Sequence, residues 1–264
     1  MIETFTRLFR ARTLVAALTR RDLAARYRGG ALGFLWSVVN PLLLLAVYAV
    51  VFTHVFAPRA DVHPYAVFLF SGILAWNFLS ASLLDAAETF RANGPLLRKV
   101  IVPPEIFPAV SVASQACHWA LALPVLAAAI VAARVGFGGR LNGAALQFLP
   151  IAALLVLAVA GLALLVAALS VHFRDMRDLL GNLLTLAFFA TPIVYPLAAV
   201  PVRLRPVLWA NPATPFFEGI HDSLFFARPV APAAWAGMAA WTIAFLVLGG
   251  AVFAWLRDSI AEEA

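Results

Sequence analysis

The sequence predicts an all-α integral membrane protein with six transmembrane helices, an N-terminal interfacial helix and short re-entrant helices before the last span. Three observations predict it. Of 264 residues, 64% are hydrophobic and only 12% charged, about half the share that a soluble surface carries. Six stretches free of Asp, Glu, Lys and Arg, at residues 29–58, 62–84, 106–133, 141–173, 179–202 and 229–256, each reach the ~20 apolar residues needed to cross a bilayer. The basic residues also fall unevenly on alternate sides of those stretches. The net charge of +6 is therefore read as membrane topology rather than as a nucleic-acid footprint.

Residues 1–28 hold seven arginines and lack the apolar core of a cleavable signal. Leu8, Ala11, Val15 and Leu18 share one side of a helical wheel, and Arg7, Arg10, Arg21 and Arg28 another. That is the pattern of a helix lying in the membrane interface; a basic tail that only fixes topology is the alternative. Gly29 and Gly33, beside Gly30, read as a hinge into the first span. The spans are expected at about 33–57, 64–85, 106–133, 146–172, 179–197 and 235–256, so residues 1–28 form a cytoplasmic interfacial helix and 29–264 a six-span domain. With the N-terminus inside, segments 1–28, 85–105, 174–178 and 257–264 carry 13 of the 19 basic residues. This is the bias of cytoplasmic loops, and it places both termini in the cytoplasm.

Between spans five and six lies a proline-rich segment whose uncharged part, residues 206–217, would rise only about 18 Å as a helix against a hydrocarbon core of about 30 Å. Pro212 and Pro215 interrupt it. Trp209, Phe216, Phe217, Phe225 and Phe226 nevertheless need an apolar or interfacial setting. Short re-entrant helices satisfy both demands, on the side away from the cytoplasm. The loop at 85–105, DAAETFRANGPLLRKVIVPPE, is expected to break at Asn93-Gly94-Pro95 and to end at Pro103-Pro104. Between them lies a short basic and apolar piece, suited to docking another protein or to lying on lipid headgroups.

The chemistry-bearing patterns are few. No G-x-x-x-x-G-K-[ST] phosphate loop occurs, so the chain is not expected to hydrolyse ATP. The single cysteine, Cys117, builds no disulfide or cysteine metal site. The five histidines are scattered, and no metal or cofactor is expected. Asp85, Glu88 and Glu105 sit at predicted helix ends and no span has a central acid, which counts against a proton- or sodium-coupled carrier. Asp61 and His63 alone are too little for a membrane enzyme acting on lipid-linked sugars. Ser111, Ser114, Gln115 and His118 follow helical spacing in span three. Such a polar stripe serves either interhelical hydrogen bonding or the lining of a translocation path. Tyr48, Phe52, Trp76, Phe188, Phe189 and Tyr195 put aromatic faces in or beside the spans, either for ordinary packing and interfacial anchoring or as candidate residues of such a path.

These residues bring a family into view. The run RRDLAARYRGGALGFLWSVVNPLLLLAVYAVVF at 20–52 resembles the N-terminal signature of type-2 ABC exporter permeases for polysaccharides, through Arg21, Asp22, Arg26, Tyr27, Arg28, Gly33, Trp36, Asn40 and Pro41. Asn93, Leu97, Lys99, Val102 and Pro103 resemble that family's coupling segment, with Gly94-Pro95 as a departure. Arg174 and Asp175 resemble its F-R-D loop, and Trp209, Asn211 and Pro212 the N-P motif before its last span. The resemblance implies a homodimer in the bacterial inner (plasma) membrane, bound to two copies of a separate ABC ATPase subunit. It implies a lipid-linked glycan substrate, such as an O antigen, with capsule, teichoic acid or a small lipophilic compound as alternatives. Asn93, Leu96, Leu97, Arg98, Lys99 and Val100 would then couple to the ATPase. Trp209, Asn211, Pro212, Phe216 and Phe217 would form an outer gate. No nucleic acid partner and no catalytic residue are implied.

Overall fold

The computed structural model describes residues 2–27, 33–51, 64–99, 102–136, 143–173 and 175–263. These are helical almost throughout, with no strand among them. The chain opens with α1 (Ile2–Arg10) and α2 (Arg12–Tyr27), separated by a turn at Ala11. Gly33, at a left-handed φ of 48° that favours a residue without Cβ, turns the chain into α3 (Trp36–Val50). There follow α4 (Tyr65–Lys99), α5 (Ile106–Gly136), α6 (Phe148–His172) and α7 (Met176–Ala190). Two short helices, α8 (Arg205–Ala210) and α9 (Thr214–Ile220), precede the long α10 (Pro232–Glu263).

Four of these are long and apolar enough to cross a membrane: Tyr65–Gly94, Ile106–Val135, Gly143–His172 and Pro232–Arg257. They carry exposed apolar side chains such as Leu149, Leu157, Ile243 and Trp255, a surface suited to lipid rather than water. The helix expected over 33–57 is present at Trp36–Val50, and its remainder from 52 onward lies outside the described residues. The one expected over 179–197 starts at Met176 and stops at Ala190. Pro192 is the cause: the residue before a proline is pushed out of the helical region, and Thr191 is extended at φ −107° and ψ 141°.

The expected break at Asn93-Gly94-Pro95 is corrected, for α4 runs on to Lys99. Gly94 has no Cβ to meet the proline ring, which relaxes the usual restriction on that position. The Asn93 side-chain amide donates to the Thr89 carbonyl at 2.9 Å, securing the turn before Pro95.

The centre of the bundle is α6, packed by α10, α4 and α5. It is apolar on all sides, as a buried helix must be, with Ile151, Leu155, Ala158, Val159 and Ala163 enclosed. Along α10 the approach is backbone to backbone: a Cβ on Gly249 would lie 1.9 Å from the Gly161 carbonyl oxygen. The segment between α7 and α10 enters the same core, with Phe216, Phe217 and Ile220 at 2% exposure or less. Asn211 separates α8 from α9, accepting the Ala213 backbone N–H at 2.9 Å and donating to the Ala190 carbonyl at 3.0 Å. That second bond ties the short helices to the end of α7.

Candidate functional site

Two cavities open against α5, the helix that carries the polar stripe. The first, of about 190 Å³, is lined by Arg21, Asp22 and Arg26 of α2, by Asp85, Glu88 and Asn93 of α4, and by Ser111 of α5. The Arg26 guanidinium donates to Asp85 at 2.7 Å and to Asp22 at 3.2 Å, and Asp85 also accepts the Gln115 amide at 2.6 Å. One carboxylate thus joins α2, α4 and α5. The second cavity, of about 210 Å³, is lined by Trp36 and Asn40 of α3, Asn77 of α4, and Gln115, His118 and Trp119 of α5.

The stripe therefore divides. Gln115 and His118 face the second cavity, and Ser111, whose hydroxyl donates to the Phe107 carbonyl at 3.3 Å, faces the first. Ser114 is fully buried and makes no hydrogen bond among the described residues.

Four of the six aromatic candidates form one contiguous group. Trp76 meets Phe188 edge-on at 5.7 Å, Phe188 meets Phe189 at 5.2 Å, and the Tyr195 hydroxyl donates to the Phe189 carbonyl at 3.0 Å. Trp76 is buried within the chain, whereas Phe189 is 65% exposed. Tyr195 opens onto an apolar groove with Pro201, Leu204 and Val207. Tyr48 lies apart on α3 and is half-buried. Phe52 and Val100, like Asp61 and His63, lie outside the described residues. The backbone places Leu96, Leu97, Arg98 and Lys99 on the last turns of α4. Of the outer candidates, Phe216 and Phe217 are core residues, while Trp209, Asn211 and Pro212 remain partly accessible.

Sequence reasoning missed a polar group in the segment between α7 and α10. His221 is stacked on Phe68 at 3.9 Å and fully enclosed. Burial drives it down to about 3, so the ring is neutral. The left-handed Ala227, φ 53°, turns the chain back so that the Arg228 guanidinium reaches Asp222 at 2.7 Å. Burial pushes Asp222 upward against the pull of Arg228. Glu218 is pushed up to about 7, by burial first and then by Asp222, with the Leu197 N–H, Arg228 and Arg205 opposing. The signal in the sequence was four ionisable residues, at 218, 221, 222 and 228, flanking an apolar segment too short to span.

A pH dependence follows. Glu218 in the fold holds its proton up to about pH 7, whereas the unfolded chain releases it near 4.5. The folded state then binds more protons between these values, and stability from this residue falls as pH rises through that window. His221 works in the opposite sense: unfolded it gains a proton below 6.5 that the fold refuses, so its contribution is lost as pH falls. The Glu218 effect is thus read by difference. Glu218→Gln should match the parent in thermal midpoint near pH 4, below the window, and exceed it near pH 8, above it.

The sequence profile of the ABC-2 type transporter family matches residues 13–225. An O-antigen export system permease protein, RfbA, from Myxococcus xanthus is 32% identical over 267 residues, covering all of both chains. Two proteins of the same name from Klebsiella pneumoniae are each 28% identical over 200 residues and 75% of either chain.

Proposed function

This chain belongs to the ABC-2 type transporter family, and on that premise we propose that it is the membrane-spanning permease of an ATP-driven exporter moving lipid-linked polysaccharide, of O-antigen type, across the bacterial inner membrane. The observation that carries this is the end-to-end similarity to an O-antigen export permease. A separate ABC ATPase supplies the hydrolysis, two copies serving a homodimer of this chain. The end of the bundle that carries both termini faces the cytoplasm, where residues 1–28 lie in the interface. Residues 29–264 cross six times, α3 and α7 contributing the two spans that are shorter among the described residues. The segment holding α8 and α9 is re-entrant from the outer side.

In this reading α4 carries the coupling element. Its 35 residues extend about 52 Å at 1.5 Å per residue, so roughly 20 Å project beyond a ~30 Å hydrocarbon core. The projecting end bears Asn93, Leu96, Leu97, Arg98 and Lys99, with Val100 next in sequence, which dock on the ATPase. Ser111, Gln115 and His118 with Trp76, Phe188, Phe189 and Tyr195 line the glycan path, joined by Tyr48 and Phe52. Trp209, Asn211 and Pro212 gate its outer mouth, backed by Phe216 and Phe217.

Reconstitution with the ATPase subunit tests it. ATP hydrolysis should rise several-fold on adding lipid-linked glycan, and the purified chain alone should hydrolyse none. Turnover by the chain alone, or indifference of the complex to glycan, would refute the reading.

A further inference from the structure

Three carboxylates, two within α4 and one in the turn that leads into α5, each hold an arginine from a different helix. Asp85 holds Arg26 of α2 and Glu88 holds Arg177 of α7. Glu105, one residue before α5, holds Arg257 near the end of α10 at 2.6 Å. Their environments differ. The side chains of Arg26, Asp85, Arg177 and Glu88 are all between 35% and 53% exposed. Glu105 is 0% exposed and Arg257 only 17%. Phe90 of α4, Phe107 of α5 and Phe253 of α10 form the apolar cluster at this end, with Phe90 6.2 Å from Phe107 and 6.3 Å from Phe253.

We propose that Arg257 is a transmission residue: through Glu105 it makes α10 follow the α4–α5 turn, so that displacement of that turn by the ATPase is delivered to the outer segment along α10. This rests on the exporter reading. Exposed ion pairs contribute little and open readily in water, so Arg26 and Arg177 give slack connections. A buried pair cannot be parted without stranding a charge in an apolar setting, so Glu105 and Arg257 move together. The pair is also held by one contact. The second carboxylate oxygen and the Arg257 Nε have no hydrogen-bond partner among the described residues, and a single contact permits tilting where a two-pronged one would fix the angle.

The remainder of the line is rigid. Backbone contact at Gly161 and Gly249 locks α10 to α6. At the far end of α10, a Cβ on Gly237 would lie 2.9 Å from Pro215 of α9. Movement of α10 there must carry α9 with it. The first helix, α1, also packs on α10, so the N-terminal helix rides on the same rod.

The permease–ATPase complex in proteoliposomes provides the test, with ATP hydrolysis and glycan export measured together. The doubly neutral variant Glu105→Gln/Arg257→Met leaves no stranded charge. It should assemble, hydrolyse ATP within about twofold of the parent, and export at least tenfold less glycan per ATP. Parental export per ATP would overturn the inference. A second variant, Glu105→Cys/Arg257→Cys in a Cys117→Ser background, is joined by a reducible dithiol-reactive spacer. The spacer should restore export per ATP and its reduction should abolish it; indifference to reduction would overturn the inference, whatever the first variant does. A parent complex that neither exports glycan nor responds to it would overturn the exporter reading and this inference with it.

Discussion

Gly249→Ala should yield no monodisperse permease on size exclusion in detergent, while Gly181→Ala should be indistinguishable from the parent. The contrast rests on what one methyl group meets. At Gly249 it would stand 1.9 Å from the Gly161 carbonyl oxygen and 2.8 Å from its carbonyl carbon. Contacts below 3.0 Å are essentially never tolerated by a Cβ, and here the neighbour is backbone, which cannot rotate away. The helices would have to part by more than 1 Å along the interface that fixes the centre of the bundle. Overpacking an ordinary core costs about 1–3 kcal/mol because side chains yield; with backbone on both sides the cost exceeds that range. In lipid the loss is sharper, since close packing rather than water exclusion holds such helices together. At Gly181 of α7 a methyl meets nothing within 4 Å, and alanine is the better helix former by about 1 kcal/mol. Normal behaviour of Gly249→Ala would mean that α6 and α10 are not in backbone contact in the membrane.

The sequence disclosed this fold where a single element's own composition decides its state. Charge-free runs marked α4, α5, α6 and α10 because a spanning helix satisfies its backbone internally and needs only apolar side chains. It was less informative where a neighbouring residue overrides composition. Thr191 sits inside a charge-free run, yet Pro192 ends α7 before it. Conversely, Pro95 signalled a break that Gly94 and the Asn93–Thr89 hydrogen bond avert. Side-chain neighbourhoods were legible only in part. Aromatic character picked out Trp76, Phe188, Phe189 and Tyr195, and the fold gathers them. Phe216 and Phe217, gate candidates through the family resemblance, lie deep in the core, a depth that depends on α6 and α10. Asp85, Glu88 and Glu105 sit at helix ends by sequence, yet α4 runs on past the first two. Their partners lie 59, 89 and 152 residues away, a separation that helical periodicity does not encode.

Asp85→Leu should lower stability by about 1–4 kcal/mol, and most of that loss should come from Gln115 rather than from Arg26. The ion pair invites the opposite view, being the charged contact of the joint. Yet the Arg26 and Asp85 side chains are 35% and 36% exposed, and pairs of that exposure contribute only about 0–1 kcal/mol. Arg26 also keeps its contact with Asp22. Gln115 is only 7% exposed, and its amide has Asp85 as its one hydrogen-bond partner among the described residues. A buried amide left without a partner costs about 1–3 kcal/mol. The apportioning is testable by a double-mutant cycle on thermal or denaturant unfolding in detergent. Gln115→Leu added to Asp85→Leu removes the stranded amide and should recover most of the loss, whereas Arg26→Leu added to Asp85→Leu should recover little. Recovery by Arg26→Leu alone would show that the charge governs the joint.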